Sequence, residues 1–299
     1  MLTMHPVVLR GRAGLALPPE EFAARVATVQ AELAERSLDA LVAFGDARSY
    51  APLTWVSGLV PMLRWAVAVV PAAGETELYV AMPGAREGPA MRKLAAVGPV
   101  ALIGALPAAL ARFDRVTVAG LPAMRAATEA TIRRATEVID GGDRLLGELM
   151  AVPSQSEREL LRVAAATAEY AAATIEGAYA EGATASDALL AGDFAARKAG
   201  MHDVRVLWSL DGGLTLRPFN VAVDIRPKPL VFYLAVETGG YWGEALRSLD
   251  GRAHLALAPI ARLGLWVEEG VEEPLAPGFY SYRACEESGA LRSRTVEVA

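Results

Sequence analysis

The stretch LVFYLAVETGGYWGEALRSL, residues 230–249, decides how the chain is read. Its first eight residues have the apolar, aromatic and β-branched character of a buried strand. Gly239 and Gly240 then supply a tight turn. Two aromatics follow, Tyr241 and Trp242, and after them stand an acid, Glu244, and a base, Arg247, three residues apart. An acid and a base just beyond a turn are ingredients of an active site. Whether they belong to one depends on what the remaining residues supply.

With 299 residues, the chain exceeds what one ordinary core serves, and two domains are expected. A composition 53% hydrophobic and 21% charged predicts order from end to end. The net charge of −6 and a pI of 5.3 leave no basic face for a phosphate backbone, so nucleic acid is excluded as a partner. The N-terminal MLTMHPVVLRGRAG carries no long apolar core or cleavage site, and no run of about 18 apolar residues occurs. The expectation is a soluble, cytoplasmic protein with no membrane partner. A single cysteine, Cys285, and three scattered histidines, His5, His202 and His254, are a poor basis for a metal cluster or a thiol nucleophile. Cys285 reads as a small buried hydrophobe, and no cofactor is expected.

Along the chain, PPEEFAARVATVQAELAER (18–36) places Phe22, Val26, Val29 and Leu33 at helical spacing, with acids near the positive end of the helix. LDALVAFG (38–45) reads as a buried strand, and RWAVAVVPAAGETELYVAMPG (64–84) as a hairpin. Helix is expected over 86–96. Beyond it PVALIG (strand), PAALARF (helix), RVTVAGL (strand) and ATEATIRRATEV (helix) alternate as in an α/β layer. VIDGGDRLLGELMAVP reads as a strand, a turn and a connecting segment, and the domain boundary is placed near residue 150, giving domains 1–150 and 151–299. Ser156 and Glu159 are read as the capping box of a long helix whose inner face carries Leu161, Ala164, Ala168, Ala171, Ile175 and Ala178. ATASDALLAGDFAARKAG gives a second helix closed by glycine. From Val204 onward the chain is strand-rich, with VRVLWSL, FNVAVDI, LVFYLAVE, LGLWVEE, GFYSYRA and RTVEVA as strands.

The order of these features resembles the creatinase, aminopeptidase P and methionine aminopeptidase superfamily. FAARVATVQAELAERSLDALVAFG followed by SYAPLTWVSGL is similar to its N-terminal domain, LLGELMAVPSQSERELLRVAA to its domain junction, and YAEGATASDALLAG to the turn between its first two catalytic-domain helices. The resemblance implies an α+β protein with a creatinase-like N-terminal α/β domain and a truncated pita-bread C-terminal domain.

In the metalloenzymes of that superfamily two aspartates, a histidine and two glutamates together hold a pair of divalent cations that activate water. Several anions are needed to hold two close cations, so a partial set is not a site. Laid on the family pattern without gaps, this chain puts Glu244 on the second aspartate and Tyr233 on the first; a shortened hairpin would bring Glu237 there instead. The histidine-bearing segment is missing, with His254 the remaining candidate. Arg283 or Ala284, and Ser293, stand where the two glutamates would be. The metal set is therefore read as lost. Metal-free creatinase chemistry is disfavoured as well, since the histidine it uses lies in the missing segment.

Other chemistry finds little support. No Gly-x-Ser-x-Gly elbow is present. DGGD (140–143) and DGG (211–213) lack the spacing of phosphate loops and read as turns. By the resemblance, Trp208, Arg217, Phe219, Tyr233, Tyr241, Trp242, Glu244, Arg247 and Arg283 line or border the former metal cleft. They either fill the void with aromatic packing or, through Arg217 and Arg283, bind a small anion such as a carboxylate. Two functions follow as alternatives. One is a peptidase-like binding or scaffold subunit without the dinuclear metal. The other is a metal-independent hydrolase or lyase of a small amide or amino-acid-like substrate, with Glu244 as general acid or base beside Tyr241 and Arg247. Trimming half of a pseudo-symmetric domain leaves apolar surface, so a homodimer is expected, and Arg247 or Arg283 is expected to neutralise Glu244.

Overall fold

The structure is a computed structural model that describes residues 17–61, 65–80, 98–209, 211, 215–219 and 225–250, and the backbone of three strands at 266–268, 278–285 and 291–298. The helix expected over 86–96, most of FNVAVDI, and His5 and His254 lie outside the described residues. Two compact units, Met1–Ala151 and Val152–Ala299, make up the chain.

In the first unit α1 (Pro19–Glu35) begins at two prolines and two glutamates, where a fixed φ and negative charge suit a helix N-terminus. Then come β1 (Ala40–Gly45), α2 (Ala51–Ser57), β2 (Ala66–Pro71), β3 (Glu77–Val80), β4 (Val100–Leu102), α3 (Leu106–Leu110), β5 (Arg115–Ala119), α4 (Ala126–Ala135), β6 (Glu137–Ile139) and α5 (Gly142–Leu149). The segment after the DGGD turn is thus a helix, not the connecting segment expected of it. Its Asp143 accepts the Gly120 N–H at 2.6 Å, a tie to the end of β5 that the local sequence does not announce.

The six strands form one sheet in the order β4-β3-β2-β1-β5-β6, with β2 antiparallel to β1 and β3 and the other pairings parallel. Every residue of β1 and β2 is buried, as suits strands covered on both faces. Their side chains alternate between two cores. Leu41, Ala43, Ala68 and Val70 pack with α1, α2 and α5, while Val42, Phe44, Val67 and Val69 pack with α3 and α4. Arg25 of α1 is the polar exception. It is held inside by the Trp55 carbonyl, by Glu21, and by the rings of Phe22 and Trp55 at 5.2 and 5.0 Å.

The second unit opens with α6 (Gln155–Ala180) and α7 (Ala185–Lys198). The capping box of α6 is Ser154 with Glu157, two residues earlier than Ser156 with Glu159. Both pairs satisfy the pattern; burial of Glu157 and its second bond, to Tyr241, select the first. The inner face of α6 runs from Leu160 through Ala164, Ala168, Ala171, Ala172 and Ile175 to Tyr179. It shares the core residues Ala164, Ala168, Ala171 and Ile175 with the expected face and differs at the ends.

Seven strands follow: β7 (Asp203–Ser209), β8 (Arg217–Pro218), β9 (Leu230–Thr238), β10 (Tyr241–Leu249), β11 (Trp266–Glu268), β12 (Gly278–Cys285) and β13 (Leu291–Val298). Their order is β11-β12-β13-β10-β9-β7-β8, antiparallel except for β11 with β12. The turn between β9 and β10 consists of Gly239 and Gly240 with φ of 60° and 93°. Two positive-φ residues are what a two-residue hairpin requires, so these glycines set the register of everything that follows. α6 lies across the hairpin. At Gly243 the strand comes so near that a Cβ would collide with the backbone of Ala164.

Candidate functional site

A strand sends successive side chains to opposite faces, and this separates the candidate residues into two groups. Tyr241, Gly243, Ala245 and Arg247 form one series of β10. It is the helix-facing one, because Gly243 abuts α6 and Ala245 belongs to the α6–α7 core. Trp242, Glu244 and Leu246 form the other.

On the helix face, the Tyr241 hydroxyl donates to Glu157 Oε1 at 2.7 Å, joining the turn of the hairpin to the first turn of α6. Arg247 is buried and donates to Glu176 Oε1 at 3.0 Å, Glu169 Oε2 at 2.6 Å and the Leu246 carbonyl at 3.0 Å. Both acids are on α6, so Arg247 fastens strand to helix. Trp208 is buried in the same core and Phe219 packs against it. Arg217 pairs with Trp208 in register and is exposed.

On the opposite face, Tyr233 of β9 donates its hydroxyl to Glu244 Oε2 at 2.9 Å. Glu244 is 0% exposed and Tyr233 5%. Their strand partners are Ala235 for Glu244 and Leu246 for Tyr233, which makes the two diagonal neighbours on one face. Val231, Ala235 and Leu246 surround the pair, with Leu207, Leu216 and Trp242 at the margin. Burial pushes the Tyr233 phenol far above its ordinary value of 10.0, and the adjacent Glu244 carboxylate pushes it further; Arg205 pulls it partly back. Tyr233 is therefore a neutral hydrogen-bond donor at physiological pH.

Glu237 is also buried, but at the turn, where its Oε1 accepts the Gly240 N–H and its strand partner is Trp242. His202 Nδ1 lies 3.7 Å from Glu237 Oε2 and faces the Gly239 N–H at 3.5 Å. The ungapped register thus puts Tyr233, and not Glu237, beside Glu244.

The rebuilt acid–base group in which Glu244 works beside Tyr241 and Arg247 is not assembled, because the sheet stands between them. Arg247 also does not neutralise Glu244; α6 supplies its acids. The side chain of Arg283 lies outside the described residues, and its backbone pairs with Glu268 and Ser293. Sequence reading missed Arg205. Its guanidinium lies 4.4 Å from the Trp242 ring centroid and its Nε 3.0 Å from Asp203 Oδ2, on the Glu244 face. Period-two alternation in VRVLWSL carries Arg205 and Leu207 together, which is the signal that would have found it.

No protein-family model matches the chain, and no curated protein matches it. Solved structures do. A prolidase from Pyrococcus furiosus is 15% identical with a TM-score of 0.60, over 74% of this chain and 69% of that one. Its fold is that of the Xaa-Pro peptidases. An X-Pro aminopeptidase from Thermotoga maritima matches at 14% identity and TM-score 0.58 over 76% of this chain and 65% of that one. The Pseudomonas aeruginosa aminopeptidase PepP matches at 15% and 0.59 over 79% and 62%. The architecture is α+β of the pita-bread kind, and this chain spans about two thirds of the length of those proteins.

The dinuclear metal that this fold implies does not fit the residues described. Tyr233 offers a protonated hydroxyl aimed at Glu244, where a cation would need a second anionic oxygen. Among the described residues, no group of three or more His, Cys, Asp or Glu side chains is disposed to hold a metal.

Proposed function

We propose that this chain is a binding or scaffold protein on an Xaa-Pro peptidase fold, without the dinuclear metal hydrolysis of that architecture. The observation that carries this reading is the Tyr233–Glu244 hydrogen bond, which replaces mutual repulsion of two carboxylates by a neutral donor and one acceptor. Two facing carboxylates need a cation between them; a neutral phenol that donates to a carboxylate does not. The hydrolase or lyase reading draws less support, since Tyr241 and Arg247 are committed to α6.

Purified protein assayed by inductively coupled plasma spectrometry, before and after incubation with Mn²⁺, Co²⁺ or Zn²⁺, is expected to carry substoichiometric metal and to leave Xaa-Pro dipeptides intact. Stoichiometric metal, or Xaa-Pro cleavage that Glu244→Gln abolishes, would overturn the proposal.

A further inference from the structure

One face of the first sheet packs with α1, α2 and α5, and the cover leaves a gap over β5 and β6. Between the C-terminal end of α1 and the flank of α5 lies a cavity of about 250 Å³. Its lining is apolar at Leu38, Ile139 and Leu145, which also belong to the core beneath. Thr117 of β5 lines it as well, but its buried hydroxyl donates to the Ile139 carbonyl at 2.9 Å and asks nothing of a ligand.

The rim is charged, and its charges are unequally engaged. Arg36 is committed to Glu32, one turn back on α1. Arg144 has its Nε 3.8 Å from Glu148 Oε1, beyond a hydrogen bond, and the two side chains are 81% and 61% exposed, so that pairing holds neither of them. Asp140 enters no hydrogen bond or ion pair among the described residues. Asp140 and Arg144 thus face one cavity, an acid and a base without a firm partner. Gly141, between them in sequence, has open space where a Cβ would stand.

These groups select a ligand by its chemistry. A dianion such as phosphate would meet one unengaged guanidinium and two carboxylates, Asp140 and Glu148. A lone cation would be repelled by Arg144, and a wholly apolar molecule would strip water from the rim charges and return nothing. A molecule with an ammonium beside a carboxylate answers both charges, and an aliphatic substituent on it covers Leu38, Ile139 and Leu145. The volume lies below the ~300–1,000 Å³ of sites for drug-sized ligands, which suits one amino acid and not a peptide.

We propose that the cavity between α1 and α5 binds a free α-amino acid with an aliphatic side chain, its ammonium on Asp140 and its carboxylate on Arg144. The site lies wholly within the first unit, so it is independent of the Tyr233–Glu244 pair and of the metal-free reading of the second unit. Both charged partners are open to water, and the affinity is therefore modest.

Calorimetric titration of the full chain with L-leucine tests it, with amide resonances followed in parallel. The expected result is saturable one-to-one binding, with shifts centred on Leu38, Ile139 and Leu145. Isocaproate, which lacks the ammonium, and isoamylamine, which lacks the carboxylate, should each bind at least about tenfold more weakly. Asp140→Asn and Arg144→Gln should each weaken leucine binding at least about tenfold while leaving the Tm of the unliganded protein unchanged. Absence of saturable binding by leucine and valine at millimolar concentration would overturn the proposal. So would leucine binding indifferent to both substitutions, or isocaproate or inorganic phosphate binding as tightly as leucine, which would make this an anion site only.

Discussion

Glu244 is completely buried and accepts the Tyr233 hydroxyl. Removing the hydroxyl in Tyr233→Phe takes a donor from a buried carboxylate, and hydrogen bonds to charged groups contribute about 1.5–3 kcal/mol. Urea unfolding should show a loss of that order. Glu244→Gln keeps an acceptor for the hydroxyl and should cost less. The phenol also gives an alkaline signature. Its folded pKa is raised above the unfolded value of 10.0, so its contribution is fully present below pH 10 and is lost as pH rises from there toward the folded pKa. In an absorbance titration at alkaline pH, Tyr233 should remain protonated after exposed tyrosines have ionised. In Tyr233→Phe the decline of stability above pH 10 should be shallower. Equal slopes in the two proteins would argue against a buried, neutral phenol.

At the scale of the element, β10 works as a divider. Its helix-facing series is committed to α6 through Tyr241 and Arg247, and its other series carries Glu244. Double-mutant cycles in stability measure that division. Glu244 and Arg247 should be additive within about 0.5 kcal/mol, whereas Arg247 and Glu169 should couple. A large Glu244–Arg247 coupling would mean that they share a face after all. The close approach at Gly243 makes Gly243→Ala destabilising by about 1–3 kcal/mol or more, because the colliding atoms are the backbone of α6 and cannot rotate away. The start of α6 gives a sharper comparison. Ser154→Ala should cost about 1 kcal/mol and Ser156→Ala close to nothing, since only Ser154 accepts a helix N–H in the capping box.

For the whole molecule, the compact division at Ala151 and Val152 predicts that residues 1–151 fold when expressed alone, with dispersed amide resonances. The basis is that both cores of the first sheet, around Val42 and around Leu41, close within that segment. The pita-bread likeness was legible in the order of elements, because amphipathic helices, buried strands and their glycine stops are local signals that a chain emits residue by residue. The placing of Tyr233, and not an acid, beside Glu244 was read from the same order. What sequence alone determined is the sheet-and-helix framework, the Gly239–Gly240 turn and the eleven-residue spacing that joins Tyr233 to Glu244. Only the tertiary structure decided which charges meet. Arg247 stands three residues from Glu244 in the chain, yet alternation about the strand turns it to the far face, where Glu169 and Glu176 of α6 receive it. Arg205, thirty-nine residues before Glu244, is brought to the Glu244 face by the pairing of β7 with β9. Electrostatic partners are chosen by distance through space, and in a sheet that distance is fixed by register and face, which no local stretch of sequence contains.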